Sequence, residues 1–499
     1  MLDYVINTTA DFLESMPKAV RKKKGQFFTS RETAEFMADL FDYSRLQGSI
    51  TVLDPGAGTG ILTTAFVDRI SYEKQIKSLK IVCYENDEDV LPVLAHNLEY
   101  IKQNAKIPIN YQLIKDDYLL SQAGDFEGTF FSNKNSKKYD AIIGNPPYLR
   151  IKKDSPVALS MPSVVHGAPN LYFLFASMSL FNLKKDREMV YIIPRSWTSG
   201  EYFKAFRRYF LKNGKLENIH LFVSRDKIFN QEQVLQETII IKVIKMHTPP
   251  ESVRISSSNN NNDFSKTTVI NPPYNSVVTG ENLYVFLPTS QDEIDTIQKV
   301  NRYLETFPEV GYRMRTGIVV DFRQRKELRK TPGDNIIPLF YSQHIRNGRV
   351  NHLPSGKQFD WIVDSKPGLI QKNENYVFCK RFTAKEEKRR LQCGVYLAED
   401  FPEYKFIGTQ NKINYVNRAD GKPLTKEEAF GIYTILNSTV YDQFYRILNG
   451  STQVNSTEVN NMPVPPKTTI ELMGKELLKS EDLSTDNCDR ILDKEAYHE

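Results

Sequence analysis

Cysteine is scarce in this chain, with four residues in 499, at Cys83, Cys379, Cys393 and Cys488. No two stand in CxxC spacing, so neither a zinc ribbon nor a disulfide framework is encoded, and a reducing compartment is expected. The seven histidines show no ligand spacing, so no metal is expected. No apolar run is long enough to span a bilayer, and the N-terminal residues carry no apolar core of a secretory signal. A cytoplasmic protein is the expectation. Charge of neither sign dominates: 66 Lys and Arg stand against 61 Asp and Glu, a formal net charge of +5. That small excess permits a polyanionic partner without requiring one. Hydrophobic residues at 40% and charged residues at 25% are ordinary for a globular chain. At roughly 100–200 residues per domain, the length suggests two to four domains, two being the simplest count.

Along the chain, the apolar pattern alternates between strand and helix. Residues 1–30 give a short helix, then the basic run Arg21-Lys22-Lys23-Lys24, then Gly25-Gln26-Phe27-Phe28-Thr29-Ser30. A helix should follow with Ser30 as its N-cap and Ala34, Met37, Leu40 and Phe41 at helical spacing. Strands are expected at 50–53, 79–84, 111–114, 139–143, 189–193, 219–223 and 237–244. Helices are expected at 61–70, 90–101, 171–183 and 202–211. Strands separated by helices require crossovers, so this part reads as α/β with a mostly parallel sheet covered on both faces. In such sheets, ligands sit at the carboxyl ends of the strands.

The composition shifts at Ser256-Ser257-Ser258-Asn259-Asn260-Asn261-Asn262-Asp263. This run lacks the apolar residues of a core and reads as a linker or exposed loop over 251–265. It divides the chain into two expected domains, 1–250 and 266–499. Beyond it the alternation fades, and Arg, Lys, Tyr, Phe and Asn are frequent from 310 to 460.

Several motifs lie at the expected strand ends. Val52-Leu53-Asp54-Pro55-Gly56-Ala57-Gly58-Thr59-Gly60 follows a strand and opens a helix. Glycines there let the backbone approach a ligand closely. No Lys-Ser/Thr follows the last glycine, so this is not a P-loop; a dinucleotide site or a ligand-free tight turn remains open on this motif alone. Glu85 ends the second strand, where a carboxylate can accept the two hydroxyls of a ribose. A solvated acidic loop is the plainer alternative. Asp117, beside Tyr118, follows the third strand and can accept from an adenine amino group, although the neighbouring Asp116 leaves the register open.

The most specific motif is Asn145-Pro146-Pro147-Tyr148, directly after Asp140-Ala141-Ile142-Ile143-Gly144. Two prolines cannot extend a strand and set a rigid turn. Such a turn can present the Asn145 amide and the Pro146 carbonyl as converging acceptors, with Tyr148 as a flat face. An exocyclic amine on an aromatic ring is a poor nucleophile because its lone pair is conjugated. Two acceptors on its hydrogens localise that pair for attack on a methyl. The plainer alternative is a proline turn with a buried Asn.

Taken together, these residues resemble the gamma class of N6-adenine DNA methyltransferases of type II restriction–modification systems, and within it the PstI/BsuBI type, which protects CTGCAG. Gly25 to Thr29, the Asp54–Gly60 turn, Glu85, Asp117 with Tyr118, and Asn145 to Tyr148 stand in that class's order. Asn170-Leu171-Tyr172-Phe173, Tyr191-Ile192-Ile193-Pro194 and Phe229 in Lys227-Ile228-Phe229-Asn230 match its later motifs. The resemblance covers about residues 20–245; the C-terminal half matches in position and general character.

The resemblance implies a Rossmann-like S-adenosylmethionine-dependent methyltransferase domain followed by an α+β target recognition domain. It implies S-adenosyl-L-methionine as cofactor, with Thr29, Asp54, Gly56 and Gly58 at its methionine end, Glu85 at the ribose, and Asp117 and Tyr118 at the adenine. Asn145, Pro146, Pro147 and Tyr148 would be catalytic, with Tyr148 and Phe229 packing the two faces of an extruded adenine. No Pro-Cys pair occurs, as a cytosine-C5 enzyme would require. Double-stranded DNA is the implied partner of a monomer, alongside a restriction endonuclease that acts on the same site without binding the methylase.

In the C-terminal half, Arg313, Arg315, Arg323, Arg325, Arg329 and Lys330 form one basic cluster. Lys380, Arg381, Lys385, Lys388, Arg389 and Arg390 form a second, with Phe382 among them. Gln343, His344, Arg346, Asn347 and Arg349 suit base edges or phosphates. For any one of them, a solvated surface is the plainer reading. Three rivals stay open: an RNA-adenine methyltransferase, a protein-glutamine methyltransferase, and a silent DNA-binding protein on the same fold.

Overall fold

In the computed structural model, residues 1–16, 28–128, 138–167, 169–222, 238–261, 264–384, 387–449 and 452–496 are described. The chain divides into two compact units, Met1–Ser290 and Gln291–Glu499.

The first unit is built on a nine-stranded sheet of order β3-β2-β1-β4-β5-β7-β6-β8-β9. Its strands are β1 Gly48–Asp54, β2 Ile76–Tyr84, β3 Ile109–Ile114, β4 Tyr139–Gly144, β5 Leu183–Pro194, β6 Lys215–Phe222, β7 Thr238–Ile244, β8 Arg254–Ser258 and β9 Thr268–Ile270. Strands β3, β2, β1, β4 and β5 are mutually parallel. β7 runs antiparallel between β5 and β6, and β9 antiparallel to β8. The helices that matter for the site are α1 Leu2–Ser15, α2 Arg31–Asp39, α3 Ile61–Ile70, α4 Leu91–Asn104, α5 Leu171–Asn182 and α6 Lys204–Asn213. Ser30 caps α2, its hydroxyl accepting from Thr33 N.

The central strands are apolar on both faces because helices cover both. Along β5, Met189, Tyr191 and Ile193 enter one core with α5 and α6, while Val190 and Ile192 enter the other with α1 to α4. The period of two sorts one apolar run into two cores. Helix α5 sits wholly inside, with Phe173, Leu174, Ala176 and Met178 all buried.

The 251–265 segment differs from the linker expected there. Arg254–Ser258 is strand β8, parallel to β6, and it lies inside the first unit. Its serines are short enough to pack, and they are satisfied: His220 Nδ1 lies 2.8 Å from Ser256 Oγ, and Nε2 lies 3.0 Å from Ser258 Oγ. A polar strand paired with a buried histidine leaves no apolar signature to read.

The second unit is α+β. A six-stranded and a five-stranded sheet accompany the helices Lys426–Asn437, Thr439–Leu448, Lys467–Ser480 and Thr485–Ala496. Lys426–Asn437 and Lys467–Ser480 touch backbone to backbone. A Cβ on Gly431 would overlap the Ile470 carbonyl, and one on Gly474 the Glu427 carbonyl.

Candidate active site

Four strand ends build one cavity of about 600 Å³, within the range of small-molecule sites. Residues 55–59 wall it after β1, 84–89 at the end of β2, 116–119 after β3, and Asn145 and Pro147 after β4. Phe28 and Thr29 reach it from the approach to α2, and Leu171 and Phe175 from α5. The cavity opens where β1 lies between β2 and β4, the point from which the chain crosses to opposite sides of the sheet.

The glycine turn has the conformation its residues allow. Gly58 and Gly60 have φ of +54° and +90°, left-handed values that favour glycine. Ala57 N donates to the Tyr84 carbonyl at 3.0 Å. Gly58 N donates to Glu85 Oε2 at 3.0 Å, while the amides of Asn86 and Asp87 donate to Oε1 at 2.9 Å each. Three backbone donors thus fix the Glu85 carboxylate at the cavity wall. Burial nevertheless raises its pKa above the ordinary value, with these amides opposing the shift.

Asp54 does not line the cavity. It is 2% exposed beneath the turn, and its Oδ2 accepts from Thr63 Oγ1 at 2.8 Å. Burial, with a smaller push from Glu85, raises its carboxyl to about 7. It anchors α3 to the end of β1, so its effect on a ligand is exerted through the turn.

A second buried link holds the turn from outside. Thr59, in the cavity wall, meets Thr9 of α1 with 2.7 Å between hydroxyl oxygens. Asn97 Nδ2 of α4 donates to the Thr59 carbonyl at 2.8 Å, and Thr8 Oγ1 donates to Asn97 Oδ1 at 2.9 Å. Thr9, Thr59 and Asn97 are all buried. Nothing in the sequence pattern pairs them, because they meet only through tertiary packing.

Asp117 and Tyr118 both line the cavity, as does Asp116. Asp117 Oδ1 accepts from the amides of Leu119 and Leu120, 2.9 Å each, which shapes the local turn. The Tyr118 hydroxyl points into the core, 3.1 Å from Ser179 Oγ, and accepts from Asn182 Nδ2 at 3.2 Å.

In the proline turn, Asn145 and Pro147 face the cavity, while the buried Pro146 and the half-buried Tyr148 lie outside its wall. Asn145 Nδ2 donates to Thr29 Oγ1 at 3.1 Å, so the Phe28-Thr29 segment and the turn meet directly. The Tyr148 hydroxyl donates to the Ile192 carbonyl at 3.0 Å, and its ring stands edge-on to Tyr172. Phe229, the expected second stacking residue, lies outside the described residues.

Two rings rest against the glycines: Phe28, from the N-terminal motif, and Phe175, which sequence reasoning missed. A Cβ on Gly58 would meet Phe28 Cε1 at 3.6 Å, and one on Gly56 would meet Phe175 Cε1 at 3.5 Å. Phe175 lies one turn beyond Leu171 on α5, but a helix apolar on all sides gives no signal of which face looks into a cavity.

The wall is acidic. Glu85, Asp87, Glu88, Asp89, Asp116 and Asp117 contribute carboxyl groups, and no Lys, Arg or His is among the described lining residues. Such a wall repels phosphate and suits a ligand bearing hydroxyls, amines or positive charge. The phosphate-bearing dinucleotide that the glycine turn alone left open does not fit it.

In the second unit, Arg313, Arg315, Arg323, Arg325, Arg329, Lys330, Lys388, Arg346 and Asn347 are exposed. Two residues expected to face a nucleic acid do not. His344 is 1% exposed, its Nδ1 accepts from Tyr341 N, and burial lowers its pKa to about 4. Arg390 is fully buried, with Nε donating to Thr383 Oγ1 at 3.2 Å and its guanidinium over the Tyr445 ring. Both serve the unit's interior. Lys385 lies outside the described residues.

Fold and site define the class: a Rossmann-like methyltransferase domain joined to an α+β unit. The comparisons agree. Residues 66–229 match the Eco57I restriction-modification methylase family. The chain is 33% identical to type II methyltransferase M.BsuBI of Bacillus subtilis, over 92% of this chain and 91% of that protein. It is 34% identical to type II methyltransferase M.PstI of Providencia stuartii, over 92% and 90%. The fold is also like that of the type IIL restriction-modification enzyme MmeI in complex with DNA, with a TM-score of 0.52 at 12% identity, covering 100% of this chain and 74% of that one. The chain belongs to the family of type II DNA methyltransferases of restriction–modification systems.

Proposed function

We propose that the chain methylates the N6 amine of adenine in duplex DNA at a specific site, with S-adenosyl-L-methionine as donor, and so protects that site from a cognate endonuclease. The reading rests on the acidic cavity whose described lining residues include Asn145 and Pro147 and no Lys, Arg or His. The cofactor supplies an electrophilic methyl on a positively charged sulfur. Glu85 receives the ribose hydroxyls, Asp117 and the Tyr118 ring the purine, and Thr29, Gly56 and Gly58 the methionine portion. Asp54 holds the glycine turn from beneath.

The adenine is turned out of the helix, at a cost of a few kcal/mol, and enters beside Asn145. The Asn145 carbonyl oxygen and the Pro146 carbonyl accept from its amine, and the Tyr148 ring packs one face, with Phe229 assigned to the other. Holding amine and methyl in line supplies much of the rate. No covalent enzyme intermediate forms. The exposed arginines of the second unit supply the phosphate contacts of a duplex reader. The protein acts as a cytoplasmic monomer; among the described residues no helix is long and apolar enough to cross a membrane.

The test is transfer of tritiated methyl to duplex DNA, RNA and protein, followed by digestion and chromatography of the labelled product. N6-methyladenine in DNA is expected, with CTGCAG as the first sequence to try. Label confined to RNA or to protein glutamine would replace this reading, and cofactor binding without any transfer would favour the silent DNA-binding rival.

A further inference from the structure

An aromatic ring left in water next to the proline turn marks a second contact surface. Tyr202 is 57% exposed. It is nonetheless firmly seated: Gly167, at φ +85°, lies so close that a Cβ there would come within 2.7 Å of Tyr202 Cδ1. The guanidinium of Arg150 stands 6.0 Å from the centre of the same ring. Arg150 is exposed, and among the described residues no carboxylate pairs with it.

Both partners are held by the structure around them. Arg150 pairs with Asn170 in an antiparallel bridge, with Ile151 N donating to the Pro169 carbonyl at 2.8 Å and Leu171 N to the Leu149 carbonyl at 2.9 Å. That pairing fixes Arg150 relative to Leu171 in the cavity wall and to Asn145, five residues earlier. Tyr202 belongs to the loop after β5. The buried Arg207 pins this loop by donating from Nη1 to the carbonyls of Trp197 and Gly200 at 3.0 and 2.8 Å. The next residue, Phe203, packs on Tyr172 and Phe173, and Tyr172 touches Tyr148 edge-on. A row of rings thus leads from Tyr148 through Tyr172 to Phe203, the residue that follows Tyr202 in sequence. Lys152 and Lys153 are exposed alongside, with Asp154 the exposed acid and Glu201 half-buried.

We propose that Arg150, backed by Tyr202 on its Gly167 seat, grips a phosphodiester flanking the extruded nucleotide. The inference rests on the DNA-adenine reading above. A nucleotide swung out of a duplex carries its two phosphodiesters to the mouth of the receiving site. A planar guanidinium matches a phosphate with two parallel hydrogen bonds. The ring beneath orients that plane, and its hydroxyl is a further donor. Arg150 stands two residues past Tyr148, the position such a linkage would reach once the base lies against Asn145.

The test compares the full-length wild type with Arg150→Gln, Arg150→Lys and Tyr202→Leu, using fluorescence anisotropy with a duplex carrying the methylated site. For Arg150→Gln, affinity is expected to fall about tenfold, as for loss of one charge-assisted contact. The slope of log affinity against log salt should drop by about one. Arg150→Lys should keep the slope but not the full affinity, and Tyr202→Leu should weaken binding with the slope kept. S-adenosylmethionine binding by calorimetry should be unchanged in all three, which separates the effect from misfolding. Methylphosphonate at the linkage flanking the target adenine should weaken the wild type and leave Arg150→Gln unaffected. If Arg150→Gln matches the wild type in affinity, slope and sensitivity to the neutral linkage, this inference alone is overturned. A wild type that binds S-adenosylmethionine but no duplex would overturn the DNA reading and this inference with it.

Discussion

The hydroxyl of Thr9 in α1 lies 2.7 Å from the hydroxyl of Thr59 in the glycine turn. Thr9 Oγ1 also lies 2.6 Å from the Val5 carbonyl, to which it donates. A hydroxyl has one proton to give, so Thr9 shares its proton between the Val5 carbonyl and the Thr59 hydroxyl. Thr9→Val keeps the shape and removes the donor, leaving the buried Thr59 hydroxyl without this partner at a cost of about 1–3 kcal/mol. Part of that cost should fall on the cavity wall. The expected result is a several-fold higher KM for S-adenosylmethionine, with kcat at saturation and KM for DNA close to wild type, and recovery in Thr9→Ser. Steady-state kinetics with both substrates checks it. A lower melting temperature with unchanged KM would make the contact purely structural.

Asn145 meets Thr29 across 3.1 Å and faces the cavity. Asn145→Ala is expected to abolish methyl transfer while cofactor affinity falls no more than a few-fold, because Glu85, Asp117 and the glycine turn are untouched. Calorimetry and single-turnover transfer give the two readouts. Measurable turnover in the variant would remove Asn145 from the chemistry.

The Tyr148 hydroxyl donates to the Ile192 carbonyl, which orients the ring. Tyr148→Phe should retain stacking with a small loss of stability, whereas Tyr148→Ala should lose capture of the turned-out base. With 2-aminopurine at the target position, the fluorescence rise on binding should persist in the first variant and shrink in the second. Equal signals in both would assign the stacking elsewhere.

Asp54 offers a pH test. Its folded-state value of about 7 stands above the ordinary 3.8, chiefly through burial. The folded protein therefore holds a proton that the unfolded chain releases. That contribution is complete below about pH 4 and is lost as the pH rises towards 7. Asp54→Asn removes the titration. Urea melts at pH 5 and pH 8 should show a smaller stability drop in the variant than in the wild type. The same drop in both would mean that Asp54 is ionised throughout.

In the second unit, exposure separates two kinds of arginine. Neutralising Arg313 and Arg315 together, both exposed on the strand Tyr312–Thr316, should lower the salt slope of duplex binding by about two with little change in melting temperature. Arg390→Gln should do the reverse, because it leaves Thr383 and the Asn449 carbonyl without their buried partner. Binding isotherms at several salt concentrations, paired with thermal melts, distinguish them.

Much of the first unit was legible because its elements are long and strongly patterned. Helix α3 begins and ends at Ile61 and Ile70, as its apolar run implies, and α5 is one residue shorter than expected. Strand β5 begins six residues before the expected 189, because Lys184, Lys185, Asp186 and Arg187 carry no apolar period while the backbone already pairs. β8 was hidden by its serines. The two-residue strands Ile345–Arg346 and Arg349–Val350 are too short to show any period. At the site, Glu85 and Asn145 could be found because each directly follows a recognisable strand. Phe175 and Thr9 could not, since each arrives by packing from an element that says nothing about its destination.

The helices Lys426–Asn437 and Lys467–Ser480 press together so closely at Gly431 and Gly474 that neither position has room for a methyl group. A frame joined this tightly cannot drift gradually; any change there must displace a whole helix. The turn at Arg346 and Asn347 is exposed, but the next residue, Gly348, lies against Tyr433 of the first of these helices, with no room there for a Cβ. Substitutions at Arg346 or Asn347 should therefore leave that helix pairing intact, whereas any side chain at Gly348 would push against it.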